Sequence, residues 1–483
     1  MYRLALYYLA FLIAAAVALS FFGALPYSPL AIIVSTLIII IFCLAANNVF
    51  AYVFEAPSNI ESVIITALIL ALIISPPAPL HNLAFLGWAS ILAMASKYIL
   101  AINKKHIFNP AAIAVAITAL AISQTASWWV GNLYMAPFVF LGGLMVVRKI
   151  QREDMFAAFL IAAFATILGS NFLKGQDLIA TAKTVLFYTP VLFFSCIMLT
   201  EPMTTPPKKN LRIWYGLLVG FLFAPAIHIG SVYSTPELAL LAGNIFSYIV
   251  SPKEKLVLKL KEKIKIAPDA YDFIFQPDRQ LAFAPGQYME WTLGHEHQDN
   301  RGMRRFFTIA SSPTEKNIRM GIKFYDNSSS FKKSLLAMKN GASIVASQLA
   351  GDFVLPKNPN QKLVLMAGGI GITPFRSMIK NLSDNNTKRS LTLIYSNKTE
   401  KDIVYKEIFD EAEKKLGIKV IYNVTEKNGR VDGQMIAKNI PDYMERMFYL
   451  SGPHGMVDGF EEILLKLGVA KKQIKKDFFP GFV

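Results

Sequence analysis

The sequence predicts a multi-domain chain: a polytopic α-helical membrane domain of ten helices over residues 1–252, an antiparallel β-barrel over 253–356, and an α/β domain with a parallel sheet over 357–483. Three observations predict it. Hydrophobic residues make up 54% of the 483 and charged residues 17%, too apolar a balance for an ordinary soluble chain of this length. Only twelve of the 49 lysines and arginines fall in the first 252 residues. Beyond Lys255, long apolar runs give way to short alternating segments.

Apolar runs lie near residues 2–23, 29–47, 60–76, 83–102, 110–123, 130–148, 155–173, 181–200, 211–229 and 238–251. The fifth and tenth fall short of the ~20 residues that a straight spanning helix needs, which predicts broken or re-entrant helices there. The first run is longer than the core of a secretory signal and more runs follow it, so an uncleaved first helix is expected. With Arg3 in the cytoplasm, the same side receives Lys97, Lys104, Lys105, Arg148, Lys149, Arg152, Lys208, Lys209 and Arg212, and only Lys174 and Lys183 fall outside. The expectation is a multi-pass protein of the cytoplasmic (inner) membrane, embedded in the lipid bilayer, with both termini cytoplasmic. Because the positive residues sit at the ends of apolar runs, the net charge of +16 reads as topology and excludes nucleic acid as a partner.

The apolar half carries an internal repeat. Ile74-Ser75-Pro76-Pro77 ends the third run and Leu199-Thr200-Glu201-Pro202 the eighth, about 125 residues apart, and Pro110 and Pro236 open the fifth and tenth at nearly the same offset. Five helices per half is an odd number, so the halves are expected to be inverted, a 5+5 repeat as in repeat-built transporters. Phe108-Asn109-Pro110-Ala111-Ala112 and Glu201-Pro202-Met203-Thr204-Thr205-Pro206-Pro207 combine helix breakers with hydrogen-bonding side chains. Freed backbone groups there need a partner, either a bound cofactor or ion or else water and caps. Asn109, Thr204 and Thr205 are the candidate site residues of this half. Cys43 and Cys196 lie in apolar runs and read as small buried hydrophobes; two cysteines cannot ligate an iron–sulfur cluster, and no metal site is expected. Of the six histidines only His81, His106 and His228 belong to this half, and they do not form two axial pairs for haem.

Phe108–Ala112, Trp128-Trp129-Val130-Gly131-Asn132 and Thr200–Pro206, followed by Trp214-Tyr215-Gly216, resemble the flavin-carrying membrane subunits of the sodium-translocating NADH:quinone reductase and the Rnf complex, over roughly residues 30–250. The resemblance implies ten helices in two inverted repeats with a flavin between them. The Ser-Gly-Ala-Thr type motif that carries covalent FMN in that family is not found, Ser123-Gln124-Thr125-Ala126-Ser127 being the nearest stretch. The flavin implied is therefore FMN or riboflavin held non-covalently.

The second half reads differently. Leu256–Leu260, Asp272–Phe275 and Gly286–Trp291 alternate like antiparallel strands, whereas Leu363–Ala367, Leu391–Tyr395, Lys419–Asn423 and Met447–Leu450 are short apolar strands between charged helical segments. Arg305-Phe306-Phe307-Thr308-Ile309-Ala310-Ser311 puts a cation, aromatics and hydroxyls on one strand; a guanidinium grips a diphosphate bidentately while alternate side chains can meet a flat ring. Gly368-Gly369-Ile370-Gly371-Ile372-Thr373-Pro374 follows a strand and precedes a helix, where glycines admit a nucleotide diphosphate to a helix N-terminus. Either motif alone could be a structural turn; their order and spacing together argue for a site.

These motifs resemble the ferredoxin–NADP reductase family, over nearly all of 255–483, which implies bound FAD and NAD(P)H. By that resemblance Arg305 binds the FAD diphosphate, Phe307 packs on the flavin beside Phe306, Thr308 hydrogen-bonds near its redox-active nitrogen, and Ser311 ends the signature. Ser329 and Ser330 resemble a second diphosphate clamp, with Ser330 as helix cap. Gly369, Gly371, Thr373 and Pro374 match the nicotinamide nucleotide loop. Ser451-Gly452-Pro453-His454-Gly455-Met456 resembles the segment beside the nicotinamide, with Ser451 where many relatives have Cys, and Phe482 stands in the aromatic terminus. Thr308, Ser451 and Phe482 are thus the implied catalytic residues, with Gly452, Pro453 and Met456 binding cofactor. Ser396 and Lys398 could accept a 2′-phosphate, and their segment has no acidic residue, which favours NADPH slightly over NADH. The expected activity is transfer of electrons from NAD(P)H through FAD to a membrane acceptor: a second flavin, a quinone or another electron carrier on the extracytoplasmic side. Two alternatives stay open, a redox-driven ion transporter and a membrane-anchored ferredoxin or flavodoxin–NAD(P) reductase.

Overall fold

The computed structural model describes residues 2–54, 59–77, 83–102, 105–251, 255–296, 299 and 302–477, and the chain divides into two compact units, Met1–Lys253 and Glu254–Val483.

In the first unit each expected apolar run contains a helix: α1 (Tyr2–Phe21), α2 (Pro29–Val53), α3 (Ile60–Ile73), α4 (Leu83–Ile99), α5 (Pro110–Ile122), α6 (Ala136–Ile150), α7 (Glu153–Leu173), α8 (Leu178–Tyr188) continuing through α9 (Val191–Phe193) and a π-turn (Phe194–Met198), α10 (Lys209–Leu222) and α11 (Pro236–Val250). Proline at the first helical position, with a side-chain cap before it, starts three of them. Ser28 caps α2, Asn109 caps α5 and Thr235 caps α11. Among the described residues, α1, α2 and α7 are long and apolar enough to cross a membrane, and a fourth is added if α8 and the helix after it, bent by 62°, count as one span.

Two departures from the expected boundaries have physical causes. The sixth run begins its helix only at Ala136 because residues 128–130 are diverted to the broken end of α3. Trp128 N donates to Ile73 O at 2.8 Å, Val130 N to Leu72 O at 3.3 Å and Trp129 Nε1 to Ala71 O at 2.9 Å, satisfying carbonyls that the helix leaves open. The sharp bend falls in the eighth run, not in the fifth or tenth. Pro190 has no N–H to continue α8, and Gly131 packs so closely there that a Cβ would meet the Pro190 nitrogen at 2.7 Å.

Packing within the unit repeats. The second helix of each half packs on the fourth (α2 on α4, α7 on α10), the fourth on the fifth (α4 on α5, α10 on α11), and α1 pairs with α6 and α5 with α11 across the halves. A two-stranded hairpin precedes the fifth helix of each half: β1 (Ala101–Ile102) with β2 (Lys105–His106), and β3 (His228–Ile229) with β4 (Val232–Tyr233).

The second unit begins with a six-stranded antiparallel sheet of β5 (Lys255–Ala267), β6 (Ala270–Pro277), β7 (Tyr288–Thr292), β8 (Arg304–Thr308), β9 (Ile318–Lys323) and β10 (Ser343–Ala350), in the order β8-β7-β10-β5-β6-β9, with α12 (Ser330–Ala337) over its core. Register shifts in β5 and β10 curl the sheet. The expected barrel is observed as a curled, open sheet. No ladder joins β8 to β9 among the described residues; just beyond β8, Ala310 N donates to Arg319 O at 2.9 Å and Arg319 N to Ser311 Oγ at 3.2 Å across the gap. Trp291, Phe273, Phe275 and Phe331 fill the interior.

A parallel sheet follows, ordered β13-β12-β11-β14-β15: β11 (Leu363–Gly368), β12 (Leu391–Asn397), β13 (Lys419–Val424), β14 (Met447–Ser451) and β15 (Ile474–Asp477). Its helices are α13 (Thr373–Asp384), α14 (Lys406–Leu416), α15 (Thr425–Asn428), α16 (Gly433–Asn439) and α17 (His454–Lys466). Every residue of β11 is buried, as a central parallel strand requires. The chain runs outward from β11 to β13 and then crosses to β14 on the other side of β11. The strand order therefore reverses between β11 and β14, where α/β sheets open a ligand crevice.

Candidate active site

Two loops meet at that reversal. Gly369 has φ +53°, a left-handed conformation that glycine adopts without strain, and lets the chain turn from β11 into α13. Gly371 faces Gly452 so closely that a Cβ would stand 2.5 Å from its Cα, and a Cβ on Gly368 would collide with the Met456 sulfur. The loops after β11 and β14 therefore lie edge to edge, which brings together Gly369, Gly371, Gly452, Pro453 and Met456. Thr373 and Pro374 form the first turn of α13, whose N–H groups and dipole favour an anion. Ser451 is buried at the end of β14, paired with Ala367 on one side and Asp477 on the other. Burial pushes the Asp477 carboxyl up to about 7. Phe482 lies outside the described residues.

The expected flavin strand is β8. Pleating sends Arg305 and Phe307 to one face, where the guanidinium stands 5.4 Å from the Phe331 ring centre and Phe307 6.0 Å from the same ring. Phe306 takes the opposite face and meets Tyr288 edge-on at 5.7 Å; Thr308, buried, pairs with Tyr288 across the ladder. Ser311 is fully buried, its hydroxyl accepting from Arg319 N at 3.2 Å.

Next to Arg305 is a seat for an anion. Asp299, which the sequence did not single out, accepts from Ser330 N at 2.8 Å at the start of α12 and stands 4.0 Å from the Arg305 guanidinium. Ser330 Oγ accepts from Asp299 N at 3.0 Å and lies 2.9 Å from His295 Nε2. The helix cap is Ser329, whose hydroxyl accepts from Lys332 N at 3.3 Å, and not Ser330 as expected; the chain enters helical geometry one residue earlier than the motif suggests. A helix N-terminus and a guanidinium converging on a carboxylate form a donor set that suits a diphosphate equally well.

The residues read for a 2′-phosphate are not gathered into a phosphate pocket. Ser396 is buried in the sheet with Asn423 Nδ2 at 3.4 Å from its hydroxyl, and Lys398 is exposed with Glu426 at 3.9 Å. The sequence segment holds no acid, but the fold brings one to it from the turn after β13, removing the reason for favouring NADPH.

In the first unit, Asn109 and Thr204 converge on Glu201. Asn109 Nδ2 donates to Glu201 Oε2 at 2.9 Å, Thr204 Oγ1 to the same oxygen at 3.2 Å, and His106 Nε2 stands 3.5 Å from Oε1. Thr205 instead bonds the Glu201 carbonyl at 3.0 Å. Asn109 N donates to Asn244 Oδ1 at 2.8 Å, which ties α5 to α11. Beside this cluster is a small cavity of about 20 Å³ lined by His106, Thr204, Asn244, Ser247, Tyr248 and Ser251 together with Ile102, Ile107 and Met203. Glu201 lay inside a quoted motif, and a carboxylate in an apolar half was the signal for it; Asn244 and His106 gave no local signal. Among the described residues no cluster could hold a metal ion.

Residues 365–462 match the oxidoreductase NAD-binding domain. Flavohemoprotein A of Dictyostelium discoideum is 26% identical over 234 residues, 45% of this chain and 58% of that protein. The glycine betaine monooxygenase reductase subunit of Chromohalobacter salexigens is 23% identical over 233 residues, 45% of this chain and 62% of that protein. The chain thus spans about three fifths of the length of these curated relatives. Among solved structures, the flavohem-like FAD/NAD binding domain of nitric oxide dioxygenase from Vibrio cholerae superposes with a TM-score of 0.41 at 22% identity, covering 46% of this chain and 98% of that one. Residues 365–462 are thus similar to the NAD-binding domain of oxidoreductases, and the wider second unit to these reductase relatives.

Proposed function

We propose that the chain is a membrane-bound NAD(P)H-dependent flavin oxidoreductase, passing electrons from NAD(P)H through FAD to a second flavin, a quinone or an extracytoplasmic carrier. The observation that carries this reading is the edge-to-edge meeting of two glycine loops at the reversal of the parallel sheet, in one compact unit with the anion seat at Arg305 and Ser330. In it, residues 1–252 are the membrane domain, 253–356 the FAD domain and 357–483 the NAD(P)H domain.

NAD(P)H and FAD, when bound, would supply hydride chemistry and a route from two-electron to one-electron transfer. The chain's part is to hold and orient. Gly369, Gly371 and the first turn of α13 receive the dinucleotide diphosphate, while Gly452, Pro453 and Met456 wall the nicotinamide side with Ser451 behind them. Arg305, Ser329 and Ser330 hold the FAD diphosphate once the Asp299 carboxylate yields its place. Thr308 and Phe307 belong to the flavin side, and oriented rings shielded from water are what such a transfer needs.

In the first unit, FMN or riboflavin would be held non-covalently at Asn109, Thr204 and Thr205. The convergence of Asn109 and Thr204 on the Glu201 carboxylate, a polar cluster in an apolar unit, supports this. A multi-pass location in the cytoplasmic membrane with cytoplasmic termini is supported by the three long apolar helices and by the distribution of lysine and arginine. Acid extraction of the detergent-purified chain tests the whole reading: FAD plus a second flavin is expected. FAD alone refutes the membrane flavin, and absence of FAD refutes the reading itself. The repeated helix packing and the carboxylate of Glu201 favour ion transport as a second reading, which NAD(P)H-dependent ion flux in proteoliposomes would support.

A further inference from the structure

We propose that Arg376 is a positioning residue that fixes the nicotinamide-binding loop against the flavin strand, so that hydride transfer, rather than binding of either cofactor, depends on it. The inference rests on the reductase reading above. Arg376 lies in α13, directly after the nucleotide loop, and is 3% exposed. Its guanidinium reaches back to the segment that continues β8. Nη1 donates to Ala310 O at 2.8 Å and to Glu315 Oε2 at 2.6 Å, and Nη2 to Glu315 Oε1 at 3.0 Å. Glu315 is held in turn by Ser312 N at 2.7 Å and by Arg319 Nε at 3.3 Å, and Arg319 Nη1 bonds Asp272 Oδ2 at 2.7 Å.

The contact continues along the same helix. Ser377 Oγ donates to Ser311 O at 2.6 Å, and Thr314 Oγ1 to Asp384 Oδ2 at 2.5 Å. The Tyr405 ring lies under the Arg376 guanidinium at 5.3 Å, in a left-handed conformation with φ +58° that a bulky residue holds only under constraint. Gly321 leaves room for it, since a Cβ there would stand 2.5 Å from the Tyr405 hydroxyl. The loop that receives one cofactor and the strand that receives the other are therefore both referenced to residues 310–315. A bidentate guanidinium–carboxylate pair fixes angle as well as distance, which a lysine cannot reproduce.

The experiment uses the full chain purified with its bound FAD, mixed rapidly with NADPH or NADH while flavin bleaching is followed in a single turnover. Arg376→Lys and Arg376→Gln should each slow bleaching by about tenfold to a hundredfold, the scale of a small misplacement of reacting atoms. FAD content, the dissociation constant for the dinucleotide and the rate of reduction by dithionite should stay within about threefold, and Arg376→Gln combined with Glu315→Gln should be no slower than either alone. Ser377→Ala, which keeps the ion pair, gives a milder readout of the same link should the arginine variants fail to hold FAD, with a smaller slowing and unchanged affinity. Wild-type rates in the variants, or slowing that follows lost affinity alone, overturn the proposal. A wild-type flavin that neither dinucleotide reduces overturns the reductase reading and the proposal with it.

Discussion

Arg305 is the residue at which the second unit commits to an anion. Its guanidinium is already spread over Gly302 O, Arg304 O and the neighbourhood of Asp299, so replacing it leaves a helix start and a carboxylate without their cation. Arg305→Ala is expected to lower FAD occupancy at least tenfold, measured by extracted flavin per protein, and Asp299→Asn to raise FAD affinity by removing a competing charge. Asp477 makes a pH prediction. Burial raises its folded value to about 7, above the ordinary carboxylate value of about 4, so its contribution to stability is complete below about pH 4 and is lost as pH rises to about 7. Asp477→Asn should flatten the melting temperature between about pH 5 and about 7; an unchanged slope would show that another group titrates there. Glu315 has the opposite sign. Burial pushes its carboxyl up, but the hydrogen bond and charge of Arg376, the Ser312 N–H and the charge of Arg319 together more than offset this and hold it below the usual range, so its stabilisation is lost only in acid. Of these residues only Arg305 was legible in the sequence, because its motif is local. Asp299, Glu315 and Asp477 acquire their roles from partners 31, 61 and 26 positions away, Ser330, Arg376 and Ser451, and no spacing announces them.

Strands and helices were easier to read than their closures. The alternation of Leu256–Leu260 and the solid apolar runs of Leu363–Ala367 and Leu391–Tyr395 give antiparallel and parallel sheets because burial on one face or on two leaves different patterns. Whether the antiparallel sheet closes depends on bulges in β5 and β10, which local pattern does not show. In the first unit the ten apolar runs each mark a helix, but the start of α6 at Ala136 is set by α3, which takes Trp128 and Val130 as backbone partners. Two predictions belong at this scale. Gly371→Ala should abolish flavin reduction by NAD(P)H with FAD content unchanged, since its Cβ would be driven into Gly452. Trp129→Phe leaves the Ala71 carbonyl unsatisfied and should cost about 1–3 kcal/mol in the first unit, read as a lower melting temperature in detergent, with the FAD spectrum unaltered.

For the whole molecule, the expectation is that NAD(P)H oxidation by the chain in liposomes is faster with a lipid-soluble quinone than with a water-soluble ferredoxin or flavodoxin. Equal rates with the soluble carriers, and none with quinone, would favour the anchored-reductase alternative. The stapling of α13 to residues 310–315 also bears on how such a protein can be recombined. The chain passes from the antiparallel to the parallel sheet after Ala350, and a gene cut there looks natural, yet half of the seam lies some forty residues earlier. A hybrid built by exchanging everything after residue 356 for that of a relative would inherit one jaw of the clamp and lose the other. A hybrid that carries residues 310–319 along with the graft keeps both jaws from one parent, and should be the version whose two cofactors still find each other.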